Sequence, residues 1–101
     1  MPFTNVPWSS PESDLDADSF CRVCVVDLNV AGETKVKAKC YLPLRSSPGA
    51  PYNKNAIRNA MARLSQTNIP AEARRKAARS LVRLAREGGI DVGPATIRMA
   101  G

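Results

Sequence analysis

The sequence predicts a small α+β fold with an N-terminal irregular acidic arm, an antiparallel β-hairpin, and an antiparallel two-helix hairpin packed on it. Three observations lead to this prediction. The first nineteen residues are rich in proline, serine and acidic residues, residues 34–44 alternate between polar and apolar, and later apolar residues recur with a helical period. The chain has 101 residues, 44% apolar and 5% aromatic, which suits one domain with a modest core.

Residues 1–19 are predicted to form the arm, and residues 20–101 a single small domain. Three prolines and the acidic run ESDLDADS give the arm the composition of irregular chain. The one tryptophan, Trp8, is expected to pack back onto the domain, because burying a ring of that size is strongly favourable.

Two strands are predicted, at about residues 20–28 and 34–42. The first reads FCRVCVVDL and is rich in β-branched residues. The second alternates, so its exposed face would carry Lys35, Lys37 and Lys39 in a row. The intervening NVAGE suits a hairpin connection.

The first helix is predicted at about residues 54–65. Its apolar residues have the i, i+3, i+4, i+7 spacing of one helix face: Ile57, Ala60, Met61 and Leu64. Asn53 is placed to accept hydrogen bonds from the free N–H groups at the start of this helix.

The second helix is predicted at about residues 70–87. Pro70 suits its first position, where a backbone N–H has no partner within the helix. Gly88 and Gly89 are expected to end it, with Ile90 as the apolar contact of the C-terminal cap. Beyond residue 93 the sequence predicts little.

On a helical wheel, the second helix has an apolar half and a cationic half. The apolar half contains Ala73, Ala77, Ala78, Leu81, Val82, Leu84 and Ala85. The cationic half contains Arg75, Lys76, Arg79, Arg83 and Arg86, while Arg74 falls among the apolar residues. Arg75, Arg79 and Arg83 stack at i, i+4 and i+8 although like charges at this spacing repel. Guanidinium groups in a row can follow a phosphate backbone, so we predict nucleic-acid contacts by the cationic half and the three lysines.

The charge distribution leaves a second interpretation open. Residues 1–33 carry six acids and one base, and residues 34–101 carry fourteen bases and three acids, giving the net charge of +6. The cationic helix face is therefore either a surface for DNA or RNA phosphates, or an ordinary solvated face that meets the acids of residues 12–18.

Catalytic chemistry is not predicted, and neither a cofactor nor a metal site is expected. The chain contains no histidine, which removes the commonest general base and metal ligand. Cys21, Cys24 and Cys40 lack a fourth zinc ligand, and Cys21 and Cys24 would point to opposite faces of a strand. We therefore expect three thiols that act as small apolar residues.

Neither a calcium-binding loop nor a membrane span is predicted. Asp14, Asp16 and Asp18 imitate the start of a calcium-binding loop, but Ser19 and Val25 stand where the loop needs glycine and glutamate. No segment has the roughly 18 apolar residues of a membrane span, and the N-terminus lacks the pattern of a secretory signal. The chain is therefore expected to stay inside the cell that makes it.

Residues 42–90 contain a series of short motifs: Leu42-Pro43, Arg45, Arg58-Asn59-Ala60, Arg63-Leu64, Gln66-Thr67 and Ile69-Pro70-Ala71-Glu72. With these motifs in this order, the segment resembles a small helix-hairpin domain found in proteins of tailed bacteriophages and prophages. The N-terminal WSSPESDLDADSF is also similar to such proteins. The resemblance implies a phage or prophage setting near head-assembly, prohead-protease or scaffold genes, and it supplies no catalytic residues.

The sequence therefore leaves two hypotheses about the function open. The first is a non-enzymatic nucleic-acid-binding accessory module that contacts DNA or RNA phosphates through the basic helix and the basic strand. The alternative is a structural module that binds a phage head protein or a second copy of the chain. An electrostatic variant of the first has residues 12–18 covering the arginines until nucleic acid displaces them.

Overall fold

The computed structural model describes residues 2–101 and shows a small mixed fold of helices and short strands, so the predicted mixture is confirmed and the predicted arrangement only in part. The strands are β1 (Phe3–Thr4), β2 (Cys24–Asp27), β3 (Cys40–Pro43) and β4 (Tyr52–Asn53). The helices are α1 (Ala17–Val23), α2 (Lys54–Arg63), α3 (Ala71–Glu87) and α4 (Pro94–Ala100). Within residues 2–101, none of the helices has both the length and the apolar character needed to cross a membrane.

The predicted first helix corresponds to α2 and the 3₁₀ turn Leu64–Gln66 that follows it. The Asn53 side chain accepts hydrogen bonds from the N–H groups of Asn55 and Ala56, at 2.8 and 3.1 Å. This is the predicted N-terminal cap. The apolar face of α2 is buried, since Ile57 is 0% exposed.

The predicted second helix corresponds to α3, and its C-terminal cap also forms as predicted. Gly89 has a φ of 69°, a conformation that favours glycine. The Ile90 N–H donates to the Ala85 carbonyl at 2.7 Å and the Gly89 N–H to the Arg86 carbonyl at 3.4 Å, the bonding pattern of a Schellman motif. Ile90 is buried, so the cap also joins α3 to the core.

The predicted strand at 20–28 is wrong for its first half, which forms the end of α1. The Asp16 side chain accepts from the Ser19 N–H at 2.8 Å and caps this helix. Burial of Phe20, Cys21 and Val23 outweighs the β preference of the local sequence. The strand begins only at Cys24, and β2 pairs antiparallel with β3.

The predicted strand at 34–42 is wrong for residues 34–39. Lys37–Lys39 form a 3₁₀ turn, and β3 begins at Cys40. Asn29 explains the departure, because its side-chain Oδ1 accepts from the Val36 N–H at 2.9 Å and takes the donor that a strand partner would use. The alternation of lysine with small residues therefore imitates a strand that does not form.

The arm is attached to the helices by backbone and side-chain hydrogen bonds. β1 pairs in parallel with β4, placing Phe3 opposite Tyr52. The side-chain amides of Asn53 and Asn55 both donate to the Val6 carbonyl, at 3.1 and 2.9 Å. Trp8 is half-buried, and α1 begins inside the segment predicted to be irregular.

Two apolar clusters form the core. The larger joins α2 and α3 to the β2–β3 hairpin and contains Ile57, Leu64 and Leu81, together with Val26 and Leu44. The smaller contains four buried residues, Phe20, Cys21, Val23 and Cys40, and lies between α1 and β3. Helix α4 packs on α3 and was not predicted, although Pro94 at its start is a helix N-terminal signal.

Candidate nucleic-acid interface

Helix α3 places its predicted cationic half in solvent and its apolar half in the core. Arg75, Lys76, Arg79, Arg83 and Arg86 are all exposed. On the opposite side, Leu81 and Ala85 are 0% exposed. Since α3 is continuous over 17 residues, the five cations share one rigid scaffold, and Arg75, Arg79 and Arg83 follow one another along its axis.

Two of these arginines have partners within the chain. Arg75 lies 3.4 Å from the Glu72 carboxylate, and the Arg79 Nε donates to the Ala100 carbonyl at 2.9 Å. In residues 2–101, Lys76, Arg83 and Arg86 have neither a hydrogen-bond nor an ion-pair partner. The contact of Arg79 with the end of α4 orients one guanidinium but leaves its charge unneutralised.

Arg74 is separate from this surface and has a structural position. Its Nε donates to the Leu64 carbonyl at 3.3 Å, and its Nη2 donates to the Thr67 carbonyl at 2.8 Å. It therefore holds the connection between α2 and α3, consistent with its place among the apolar residues on the helical wheel.

The predicted lysine row is not formed. Lys35 pairs with the Asp27 carboxylate, and Lys37 donates to the Glu12 carbonyl at 2.6 Å. Lys39 is exposed. Because successive residues of a 3₁₀ turn are rotated by about 120°, Lys37 and Lys39 do not share one strand face. The three lysines consequently contribute separate charges instead of one basic row.

The acids of residues 12–18 do not pair with the arginines of α3. Within residues 2–101 the two ion pairs are Lys35 with Asp27 and Arg75 with Glu72. Asp16 instead accepts the Ser19 N–H, and that hydrogen bond lowers the pKa of the Asp16 carboxyl. The use of Asp16 as a helix cap also differs from a calcium-loop arrangement.

The expectation of three free thiols is wrong for two of them. Cys21 and Cys40 form a disulfide with Cα atoms 5.3 Å apart, and Cys24 is free. Burial, followed by the nearby charges of Glu12 and Asp27, raises the pKa of Cys24 to about 12. Cys21 lies on α1 and Cys24 begins β2, so the single strand that was predicted to hold both of them does not form.

The disulfide lies beside two polar side chains that sequence reasoning did not select. Partial burial tends to raise the pKa of Asp27, but hydrogen bonds from Lys35 and Asn29 outweigh this effect and leave the pKa lowered. The Asn29 Nδ2 lies 3.3 Å from the Cys40 sulfur and 3.5 Å from the Cys21 sulfur. No sequence spacing indicates this cluster, because pairing of β2 with β3 and packing of α1 on both strands bring its members together.

A groove of about 520 Å³ lies between β3 and the connection after α2. Its lining residues are Tyr41, Leu42, Arg63, Gln66, Thr67 and Asn68. Leu42 has a φ of 64°, a left-handed conformation that is uncommon for leucine, and strained backbone of this kind clusters at functional sites. The groove thus brings together residues of β3 and of the connection after α2 that are distant in sequence.

Comparison of the chain with family models, curated proteins and solved structures found no match.

Proposed function

We propose that this protein is a non-enzymatic nucleic-acid-binding accessory module that contacts phosphates through the exposed face of α3. The observation that supports this most directly is the set of five exposed cations on one helix face. Arg75 and Arg83 are separated by eight residues, or about 12 Å along the helix axis. A guanidinium can donate two parallel hydrogen bonds to one phosphate, so these arginines suit an extended backbone.

The intramolecular partners of α3 do not prevent such binding. The Arg75–Glu72 pair is 3.4 Å long and joins side chains that are 48% and 82% exposed, so it contributes little energy. Phosphate can replace Glu72 at small cost. Within residues 2–101, no acid of the arm forms an ion pair with α3, and Asp16 caps α1 instead, which favours direct binding over the autoinhibited variant.

The lysines have a smaller part in the proposed interface. Lys39 is exposed and adds a contact outside α3. Lys35 and Lys37 must first leave Asp27 and the Glu12 carbonyl, respectively. We therefore assign the main contribution to Arg75, Lys76, Arg79, Arg83 and Arg86.

The experiment is a titration of labelled duplex DNA and single-stranded RNA at several salt concentrations. The test variant replaces Arg75, Arg79 and Arg83 with glutamine and so removes three positive charges. Each phosphate contact contributes about 0.9 to the log–log salt slope on duplex DNA, so the slope should decrease by about 3.

The control variant replaces one exposed arginine on each of the other three helices, Arg22, Arg63 and Arg98, with glutamine. It has the same net charge as the test variant. The proposal predicts that the control keeps most of the wild-type slope. Equal losses in both variants would indicate attraction by net charge alone, and absence of binding at low salt would overturn the proposal.

The alternative function is a structural module for a homo-oligomer or a phage head assembly, located in the host cytoplasm or a virion. The strained Leu42 in the wall of the groove favours this alternative, since such strain often occurs at binding surfaces. Light scattering across a wide concentration range tests self-association. A monomer at every concentration would contradict the homo-oligomer, and Tyr41→Ala should weaken any oligomer that uses the groove.

A further inference from the structure

We propose that Cys21, Cys40 and Asp27 form a binding site for a soft divalent cation, Zn²⁺ or Cd²⁺, when the disulfide is reduced. The two sulfurs and a carboxylate oxygen of Asp27 all lie within 4.8 Å of one another. Around a tetrahedral ion, with bonds of about 2.0–2.3 Å, neighbouring ligand atoms are roughly 3.5 Å apart. The carboxylate is thus close to its required place, and the sulfurs need only separate after the bond between them is broken.

The orientation of Asn29 is the second observation that points to this site. Its Oδ1 accepts from the Val36 N–H at 2.9 Å, so the amide cannot be turned around without losing that bond. The Nδ2 group therefore faces the Cys40 and Cys21 sulfurs, at 3.3 and 3.5 Å. Amide donors stabilise negative sulfur far more than the weakly accepting sulfur of a disulfide. The Asn29 amide is consequently placed to donate to thiolates, the form that binds a metal.

The same amide also orients the carboxylate. Asn29 Nδ2 donates to Asp27 Oδ1 at 2.8 Å, and the Asn29 backbone N–H donates to that oxygen at 2.9 Å. Lys35 holds the other oxygen, Oδ2. One side chain thus positions all three ligands, as outer groups do in metal sites. Two thiolates and one carboxylate favour zinc or cadmium over the harder Mg²⁺ and Ca²⁺, and the fourth position is left for water.

The chemistry requires a reductant and then exchanges protons for metal. A dithiol reductant supplies two electrons and two protons to the S–S bond, giving two cysteine thiols and its own cyclic disulfide. Cation binding then releases both thiol protons to solvent and forms two metal–thiolate bonds. The bound metal then replaces the disulfide as the connection between α1 and β3. The proposed metal site does not depend on nucleic-acid binding by α3.

The experiment uses the full chain after reduction by a dithiol, followed by removal of the reductant without oxygen. Cd²⁺ is added while the ultraviolet thiolate-to-metal charge-transfer absorption is recorded, and Zn²⁺ is measured by competition with a chromophoric chelator. We expect one ion per reduced chain and none per oxidised chain. No stoichiometric binding by the reduced protein would overturn the proposal.

Two pairs of variants identify the ligands. Asp27→Asn should weaken binding at least tenfold, whereas Lys35→Ala breaks the same ion pair but removes no ligand and should not weaken it. Cys40→Ser should greatly reduce the charge-transfer absorption, whereas Cys24→Ser should leave it unchanged. Circular dichroism checks that the Asp27 and Lys35 variants are folded in their oxidised form and that the two cysteine variants are folded. Wild-type affinity in Asp27→Asn, or loss of the band in Cys24→Ser, would contradict this site.

Discussion

Among single residues, Arg74 shows that a charged side chain in a cationic helix can have a structural role. Its guanidinium donates to the carbonyls of Leu64 and Thr67. Arg74→Ala leaves both carbonyls without this donor, and we expect it to lower the free energy of unfolding by about 2 kcal/mol. Urea denaturation followed by circular dichroism measures the change.

The neighbouring Arg75 supplies the control for this prediction. It is exposed, and its ion pair with Glu72 is long. Arg75→Ala should therefore change the free energy of unfolding by no more than about 0.5 kcal/mol. Similar losses in the two variants would contradict a structural role specific to Arg74.

Cys24 is the second residue whose surroundings lead to a prediction. Burial and nearby acids raise its pKa from 9.0 to about 12, so the folded state favours the neutral thiol. In the unfolded chain the thiol ionises near pH 9, and stability present below that pH is lost as the pH rises toward 12. The free energy of unfolding should decrease over this range more in the wild type than in Cys24→Ala.

Thiol alkylation at pH 8 provides an independent measurement of the same effect. The reactive species is the thiolate, which is scarce in the folded protein at that pH. Native Cys24 should react at least about a hundredfold more slowly than the same thiol in urea. Equal rates would show that the surroundings of Cys24 do not suppress its ionisation.

At the scale of elements, the disulfide holds α1 against β3 where the apolar contacts are few. The cluster there contains four buried residues, and two of them are the bonded cysteines. Closing a loop with a sequence separation of 19 removes freedom from the unfolded chain. A Cys21→Ala/Cys40→Ala double variant should therefore lose about 3 kcal/mol of unfolding free energy.

A reductant separates the contribution of the S–S bond to stability from that of the two cysteine side chains, because it breaks the bond and leaves the side chains in place. Metal-free wild type in a dithiol reductant should lose a similar amount, whereas the double variant should not respond to the reductant. If the wild type is equally stable with and without reductant, the disulfide does not stabilise this part of the fold.

The elements also show how far the sequence could predict the structure. Helix α3 was predictable because its period, its first turn and its glycine cap all indicate the same helix. The conformation of residues 34–39 was not predictable. It depends on the hydrogen bond that the Val36 N–H donates to the Asn29 side chain, and on the pairing of residues 27–28 with 39–40. The cationic face of α3 followed from periodicity, whereas the Asp27 cluster and the Leu42 groove depend on contacts distant in sequence.

At the scale of the whole molecule, the arm is joined to the helical part by hydrogen bonds between residues that are far apart in the sequence. Asn53 and Asn55 on β4 and α2 donate to the Val6 carbonyl, and Arg58 donates to the Asn5 side chain at 3.2 Å. The Phe3 ring lies so close to Gly88 that a Cβ added there would be 3.0 Å from it. The arm thus contacts both α2 and the end of α3, and we expect it to unfold together with them.

The one tryptophan of the chain, Trp8, makes this cooperative unfolding measurable. Its fluorescence reports the arm, whereas circular dichroism at helical wavelengths reports mainly α2 and α3. Because the donors of α2 lose their partners when the arm leaves, both signals should give the same urea midpoint. Phe3→Ala should lower both urea midpoints together. Because the ring is half-buried, we expect the free energy of unfolding to decrease by about 1–2 kcal/mol. A fluorescence change at lower urea than the helical change would instead show that the arm detaches from a helical part that remains folded.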